Sequence, residues 1–121
     1  MAKILVVDDE IELVAAIKIR LQAQGFEVIT AIDGDDGLRK ARLTNPDLII
    51  MDLMMPKRDG YTVCKMLKFD QKFRNIPIII LSARSQEKDK KLGEEVGSNA
   101  YITKPFETEA LIEKVKELLN K

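Results

Sequence analysis

Residues 48–52 read Leu-Ile-Ile-Met-Asp, an unbroken apolar run that ends on a carboxylate. A strand with one wet face alternates apolar and polar residues. A continuous run has no polar face and reads as a strand buried on both sides, the pattern of a parallel sheet covered by helices. The same form recurs along the chain. Lys3–Val7 (KILVV) stops at Asp8-Asp9, Ile78–Leu81 (IIIL) stops at Ser82, and the short Ala100–Thr103 (AYIT) stops at Lys104. If these runs lie parallel in one sheet, their chemical termini share one edge. Phe26–Thr30 (FEVIT) adds a further strand.

Helical stretches separate the strands. Glu10–Gln24 carries Val14, Ile17 and Leu21 at helical spacing and stops at Gly25. Asp33–Arg42 is a short helix opening in a Gly- and Asp-rich turn, and Asp59-Gly60 leads into a helix over Tyr61–Asp70. Pro46 and Pro77 punctuate the chain before the third and fourth strands. Gln86–Val96 is a weak helix: only Leu92 and Val96 look inward, and Gly93 costs it about 1 kcal/mol. Glu107–Leu119 places Leu111, Val115 and Leu118 on one face, broadened by Ile112 and Leu119. Five βα units with right-handed crossovers predict an α/β fold. It is a flavodoxin-like, doubly wound, five-stranded parallel sheet in the order 2-1-3-4-5 with five flanking helices. Sites in such folds lie at the C-terminal strand ends, near the switch point between strands 1 and 3, where Asp8, Asp9 and Asp52 fall.

Length and composition narrow the chemistry. At 121 residues the chain is expected to form one domain, residues 1–121, with a core that needs neither disulfide nor structural metal. No apolar run approaches the roughly 18 residues of a membrane span, and Asp8-Asp9 interrupts the N-terminal run too early for a signal peptide. The single Cys64 excludes an internal disulfide and fits a buried small hydrophobe in a reducing, cytoplasmic setting. Lys and Arg total 20, as do Asp and Glu, so direct nucleic-acid binding is not expected. His is absent, which removes His-dependent catalytic triads and His-ligated zinc. Any metal should therefore be a hard cation held by oxygen.

Three carboxylates in one crevice would repel each other and raise one another's pKa, which a divalent cation would cancel. Mg²⁺ suits that role, because it takes a few carboxylates and keeps several waters; Mn²⁺ could substitute. Taken alone, Asp9 reads equally well as a cap on the first helix; Asp52 at the adjoining strand end favours metal. A carboxylate such as Asp52 can attack phosphorus to give an acyl phosphate. Lys104 would neutralise phosphoryl oxygens and Ser82 would donate a hydrogen bond to one. Phosphoryl transfer depends mainly on positioning and charge neutralisation, so the absence of His is no obstacle.

Asp8-Asp9, Asp52 within Met51-Asp52-Leu53-Met54-Met55-Pro56, Asp59-Gly60, Ser82-Ala83, Tyr101 and Lys104-Pro105-Phe106 occur in an order and spacing specific to one family. Over its whole length the chain resembles the response-regulator receiver domains of two-component signalling. The resemblance implies that a histidine kinase or histidine phosphotransfer protein phosphorylates Asp52. It implies Mg²⁺ held by Asp9, Asp52 and the Met54 backbone carbonyl, with Asp8 acting mainly through water, and a cis Lys104–Pro105 peptide. It implies that Ser82 and Tyr101 act as the switch. They would change the face formed by Gln86–Val96, Ala100–Thr103 and the last helix, and so control a downstream target protein or output domain. It also places Met54 and Arg84 beside the route of the hydrolytic water, where bulky side chains would prolong the phosphoryl lifetime. Such a chain catalyses only its own phosphorylation and dephosphorylation.

Rival readings meet specific obstacles. A phosphatase of the haloacid-dehalogenase type needs a second Asp two residues after its nucleophile, where this chain has Met54. A flavodoxin-like FMN binder needs Ser, Thr and Gly amides in the first loop, where Asp8-Asp9-Glu10 would repel phosphate. A phosphorylation-independent adaptor would lack part of the acceptor set. The Leu-Met-Met-Pro and Lys-Pro-Phe motifs also resemble receivers attached to winged-helix DNA-binding domains, so the chain reads alternatively as a fragment of a transcription regulator. Such receivers pair through an acidic pair before the switch tyrosine; here Ser98-Asn99-Ala100 precede Tyr101, and the last helix offers Lys114 and Lys116. A monomer or a weak, phosphorylation-dependent dimer is the expectation.

Overall fold

The computed structural model describes residues 1–55, 57–83 and 97–120. Its elements run β1 (Lys3–Val7), α1 (Ile11–Ala23), β2 (Glu27–Ala31), α2 (Gly34–Thr44), β3 (Leu48–Asp52), α3 (Gly60–Lys68), β4 (Ile78–Ser82), β5 (Ala100–Thr103) and α4 (Thr108–Leu119). The strands form one parallel sheet in the order β2-β1-β3-β4-β5, as predicted. Four helices flank it among the described residues; the fifth predicted helix, over 86–96, lies outside them.

Both faces of the sheet are covered, which is why the central strands have no polar side. Ile4, Val6, Leu48, Ile50, Ile79 and Leu81 pack with Val14, Ile17 and Leu21 of α1 and Leu111, Ile112 and Val115 of α4. The alternate residues Leu5, Val7, Ile49, Met51, Ile78 and Ile80 pack with Leu38 and Ala41 of α2 and Val63, Cys64 and Leu67 of α3. Each such side chain removed from water contributes roughly 1.5–3 kcal/mol. Burial pushes the Cys64 thiol up to about 11, in keeping with an inert core residue. No described helix is long and apolar enough to cross a membrane.

Element boundaries moved where a local hydrogen bond competed. The second strand begins at Glu27 because the Phe26 N–H is taken by the Leu21 carbonyl at the end of α1. The predicted helix over Tyr61–Asp70 ends at Lys68, because Asp70 starts a turn of its own. Its carboxylate accepts from the Lys72 N–H at 3.0 Å and its carbonyl from Phe73 at 3.0 Å. Gly25 sits at φ 91°, a left-handed geometry that ends α1 without a Cβ penalty.

Candidate functional site

The sheet register gathers the strand termini. Val7 pairs with Met51, so Asp8 and Asp52 are level at the ends of adjacent strands. Asp52 pairs with Leu81 and Ser82 with Thr103, and the Lys104 N–H donates to the Ser82 carbonyl at 2.7 Å, continuing the ladder. Alternation then sorts the side chains. Asp8 continues the series Ile4, Val6; Asp52 continues Leu48, Ile50; Lys104 continues Ala100, Ile102. All three belong to the α1/α4 face of the sheet.

They meet there. The Lys104 ammonium donates to Asp8 Oδ2 at 2.9 Å, across 96 residues of sequence, and lies 3.6 Å from Asp52 Oδ1. Its third partner is Glu10 Oε2 at 3.3 Å. One carboxylate oxygen from each of Asp8, Asp9 and Asp52 lies within 4.8 Å of the others. Asp8 is 1% exposed and also accepts the Glu10 N–H at 2.9 Å, whereas Asp9 is exposed at the rim. Glu10, not Asp9, occupies the cap position of α1, so capping is not the role of Asp9.

Asp52 is 5% exposed, and its carboxyl is pushed up to about 6. Burial is the larger cause and the charge of Asp8 the next; Lys104 and the Met54 N–H, which donates to Asp52, pull the other way without cancelling them. Burial works against the charge on Lys104, but its hydrogen bond to Asp8 and the charge of Asp52 outweigh it and raise the ammonium's pKa. Asp8, Asp52 and Glu10 thus surround the Lys104 ammonium, and Asp9 adds a further carboxylate beside Asp8 and Asp52. An all-oxygen donor set with surplus negative charge, strained by burial, fits a hard divalent cation such as Mg²⁺.

The other predicted residues lie on the neighbouring strands and loops. Ser82 is fully buried at the end of β4, where alternation puts it in series with Ile78 and Ile80 on the α2/α3 side. Tyr101, on the edge strand, is partly buried against that same side. The Met54 side chain is 57% exposed in the loop after β3. The Lys104–Pro105 peptide is cis. Arg84 lies outside the described residues. Glu10 was not singled out from sequence, although an acidic residue directly after Asp8-Asp9 could have signalled a contact with any cation gathered there.

The sequence matches the family described as the response regulator receiver domain over residues 4–116. It is 45% identical over 119 residues to the alkaline phosphatase synthesis transcriptional regulatory protein PhoP of Bacillus subtilis, covering 98% of this chain and 49% of that protein. The chain spans about half the length of this and two other transcription regulators that it matches. The structure resembles the receiver domain of the Francisella response regulator 1452, with TM-score 0.93 and 36% identity, over 99% of this chain and 98% of the other. It also resembles the receiver domain of the sensor histidine kinase PA1611 from Pseudomonas aeruginosa PAO1, solved with a magnesium ion coordinated in its active-site cleft. There the TM-score is 0.90 and the identity 28%, over 99% and 98% of the two chains.

Proposed function

This chain belongs to the family of response regulator receiver domains, and from that premise we propose that Asp52 is its phosphoacceptor. The phosphodonor is a phosphohistidine on a histidine kinase or a phosphotransfer protein. An Asp52 carboxylate oxygen attacks phosphorus, an O–P bond forms, and the N–P bond to the donor imidazole breaks, with its electron pair returning to the ring nitrogen. The observation that carries this reading is the convergence of Asp8, Asp9 and Asp52 with Lys104 at the end of the switch-point strands. Mg²⁺ held by Asp8, Asp9, Asp52 and the Met54 carbonyl would neutralise phosphoryl oxygens while the carboxylate attacks.

The chain's own groups supply the rest. Lys104 can turn from Asp8 toward a phosphoryl oxygen, since its ammonium is already within 3.6 Å of Asp52. The Met54 N–H holds the attacking carboxylate in place. Ser82 and Tyr101, on the neighbouring strands, read the new charge and pass it to the β5 edge, which presents it to a partner protein or a further domain. The chain acts in this way on itself and turns over no separate substrate, and its setting is cytoplasmic.

The test is incubation with Mg²⁺ and acetyl phosphate, followed by intact-mass measurement. One phosphoryl group should be gained, and peptide mapping should place it on Asp52. Full labelling in the presence of a chelator, or label on another residue, would reject the reading. Met54→Ala should shorten the half-life of the aspartyl phosphate by about threefold, because an exposed thioether chain beside Asp52 hinders water. An unchanged decay rate in the same mass assay would remove Met54 from that role.

A further inference from the structure

The β3–α3 loop carries the Met54 backbone, and α2 holds that loop from outside. Gly34, the first residue of α2, lies so close that a Cβ built on it would come 1.7 Å from the Arg58 carbonyl oxygen and 2.5 Å from the carbonyl carbon. Ion pairs surround this backbone contact. Arg58 Nε donates to Asp35 Oδ1 at 2.7 Å, and the Lys57 ammonium is 3.6 Å from Asp33 Oδ2. Arg58 also reaches Met66 Sδ of α3 at 3.5 Å, and Lys57 is held at φ 69°, a conformation L-residues adopt at a cost. The loop is short and closed at its base, because the Gly60 N–H donates to the Leu53 carbonyl at 3.0 Å. A displacement at Arg58 therefore has few residues in which to dissipate before it reaches Met54.

We propose that Gly34 and Arg58 are positioning residues: they set the height of the β3–α3 loop so that the Met54 backbone stays aimed at the Asp52 carboxylate and the metal it helps hold. The inference rests on the receiver reading of Asp52. It carries an unusual sign. Gly34 has no left-handed φ, so helix propensity alone would make Ala at this position stabilising. Any loss in Gly34→Ala must come from the contact with Arg58.

The experiment is calorimetric titration of metal-free protein with Mg²⁺ alone, alongside the amide NMR shift of Met54 and the thermal midpoint. Gly34→Ala should weaken Mg²⁺ binding about tenfold and move the Met54 amide. Its acetyl phosphate labelling should fall at low Mg²⁺ and recover at saturating Mg²⁺. Arg58→Ala, which keeps the main chain but loses Asp35 and Met66, should weaken Mg²⁺ about threefold. A purely structural role would lower the midpoint and leave affinity and amide unmoved, and that result overturns the proposal. Should Gly34→Ala fail to fold, unchanged Mg²⁺ affinity in Arg58→Ala overturns it instead. If the wild type binds no Mg²⁺, the receiver reading falls and this inference with it; wild-type binding with unaltered variants rejects the inference alone.

Discussion

Asp52→Asn should accept no phosphoryl group and yet, freed of metal at pH 7.5, should be more stable than the wild type. Asparagine lacks the nucleophilic charge but keeps the shape and can still accept the Met54 N–H. The stability gain follows from linkage. Asp52 titrates near 6 in the folded chain, against the ordinary 3.8, because burial and Asp8 oppose its charge. The folded state therefore binds the extra proton in the interval between. The stabilisation from the protonated group is full below 3.8 and is lost as pH rises through about 6. Removing the charge restores on the order of 2 kcal/mol above that pH, which raises the melting midpoint by about 5–10 °C for a domain of this size. The difference should shrink toward zero as pH falls to 4. Saturating Mg²⁺ should narrow the gap at pH 7.5 by stabilising the wild type. Melts across pH 4–8, with EDTA or Mg²⁺, provide the check, and a variant less stable than wild type at pH 7.5 in EDTA would contradict the charge argument.

Lys104→Met should separate two properties that usually fall together. Its ammonium is the cation nearest the acceptor among the described residues, 2.9 Å from Asp8 and 3.6 Å from Asp52. Losing a preorganised charge at a phosphoryl site typically costs about 100-fold in rate. The same ammonium competes with a metal for the same carboxylates, so its removal should tighten Mg²⁺ binding by about tenfold. Losing Lys104 also lets the Asp52 pKa rise further, because the ammonium pulls it down, so the titration belongs at pH 8. There Asp52 is ionised in the wild type. Slower labelling combined with tighter metal binding is the expected pair of results. Weaker Mg²⁺ binding would mean that Lys104 organises the carboxylates more than it competes for them.

The architecture was legible because the central strands are apolar at every position. Leu48–Met51 and Ile78–Leu81 have no wet face, and only a parallel sheet sandwiched between helices leaves strands so. The convergence of Asp8, Asp52 and Lys104 was also legible, as strand ends share an edge. What was harder to see is the difference between Asp8 and Asp9. The Asp8 side chain is buried and bonded directly to Lys104, whereas Asp9 is exposed at the rim. Extending the alternation of Ile4 and Val6 by one step would have pointed Asp8 inward. Burial as the main cause of the raised Asp52 was likewise hidden, since sequence reveals repelling neighbours more readily than depth. The contact of Gly34 with Arg58 had no local signal: it depends on how two loops from different βα units meet, and a helix-opening glycine reads as ordinary turn chemistry.

The hydrogen bond between Lys104 and Asp8 bears on the order in which the molecule can be made. Its two ends are separated by 96 residues, and β5, which leads into Lys104, pairs with β4 alone among the described residues. Contacts of such long range form late, after the loop-closure entropy of the intervening chain has been met. A nascent chain that has emerged only through β4 already carries Asp8, Asp9 and Asp52 but lacks the ammonium. On the proposed reading of Asp52, the complete acceptor site therefore arrives only with the fifth strand.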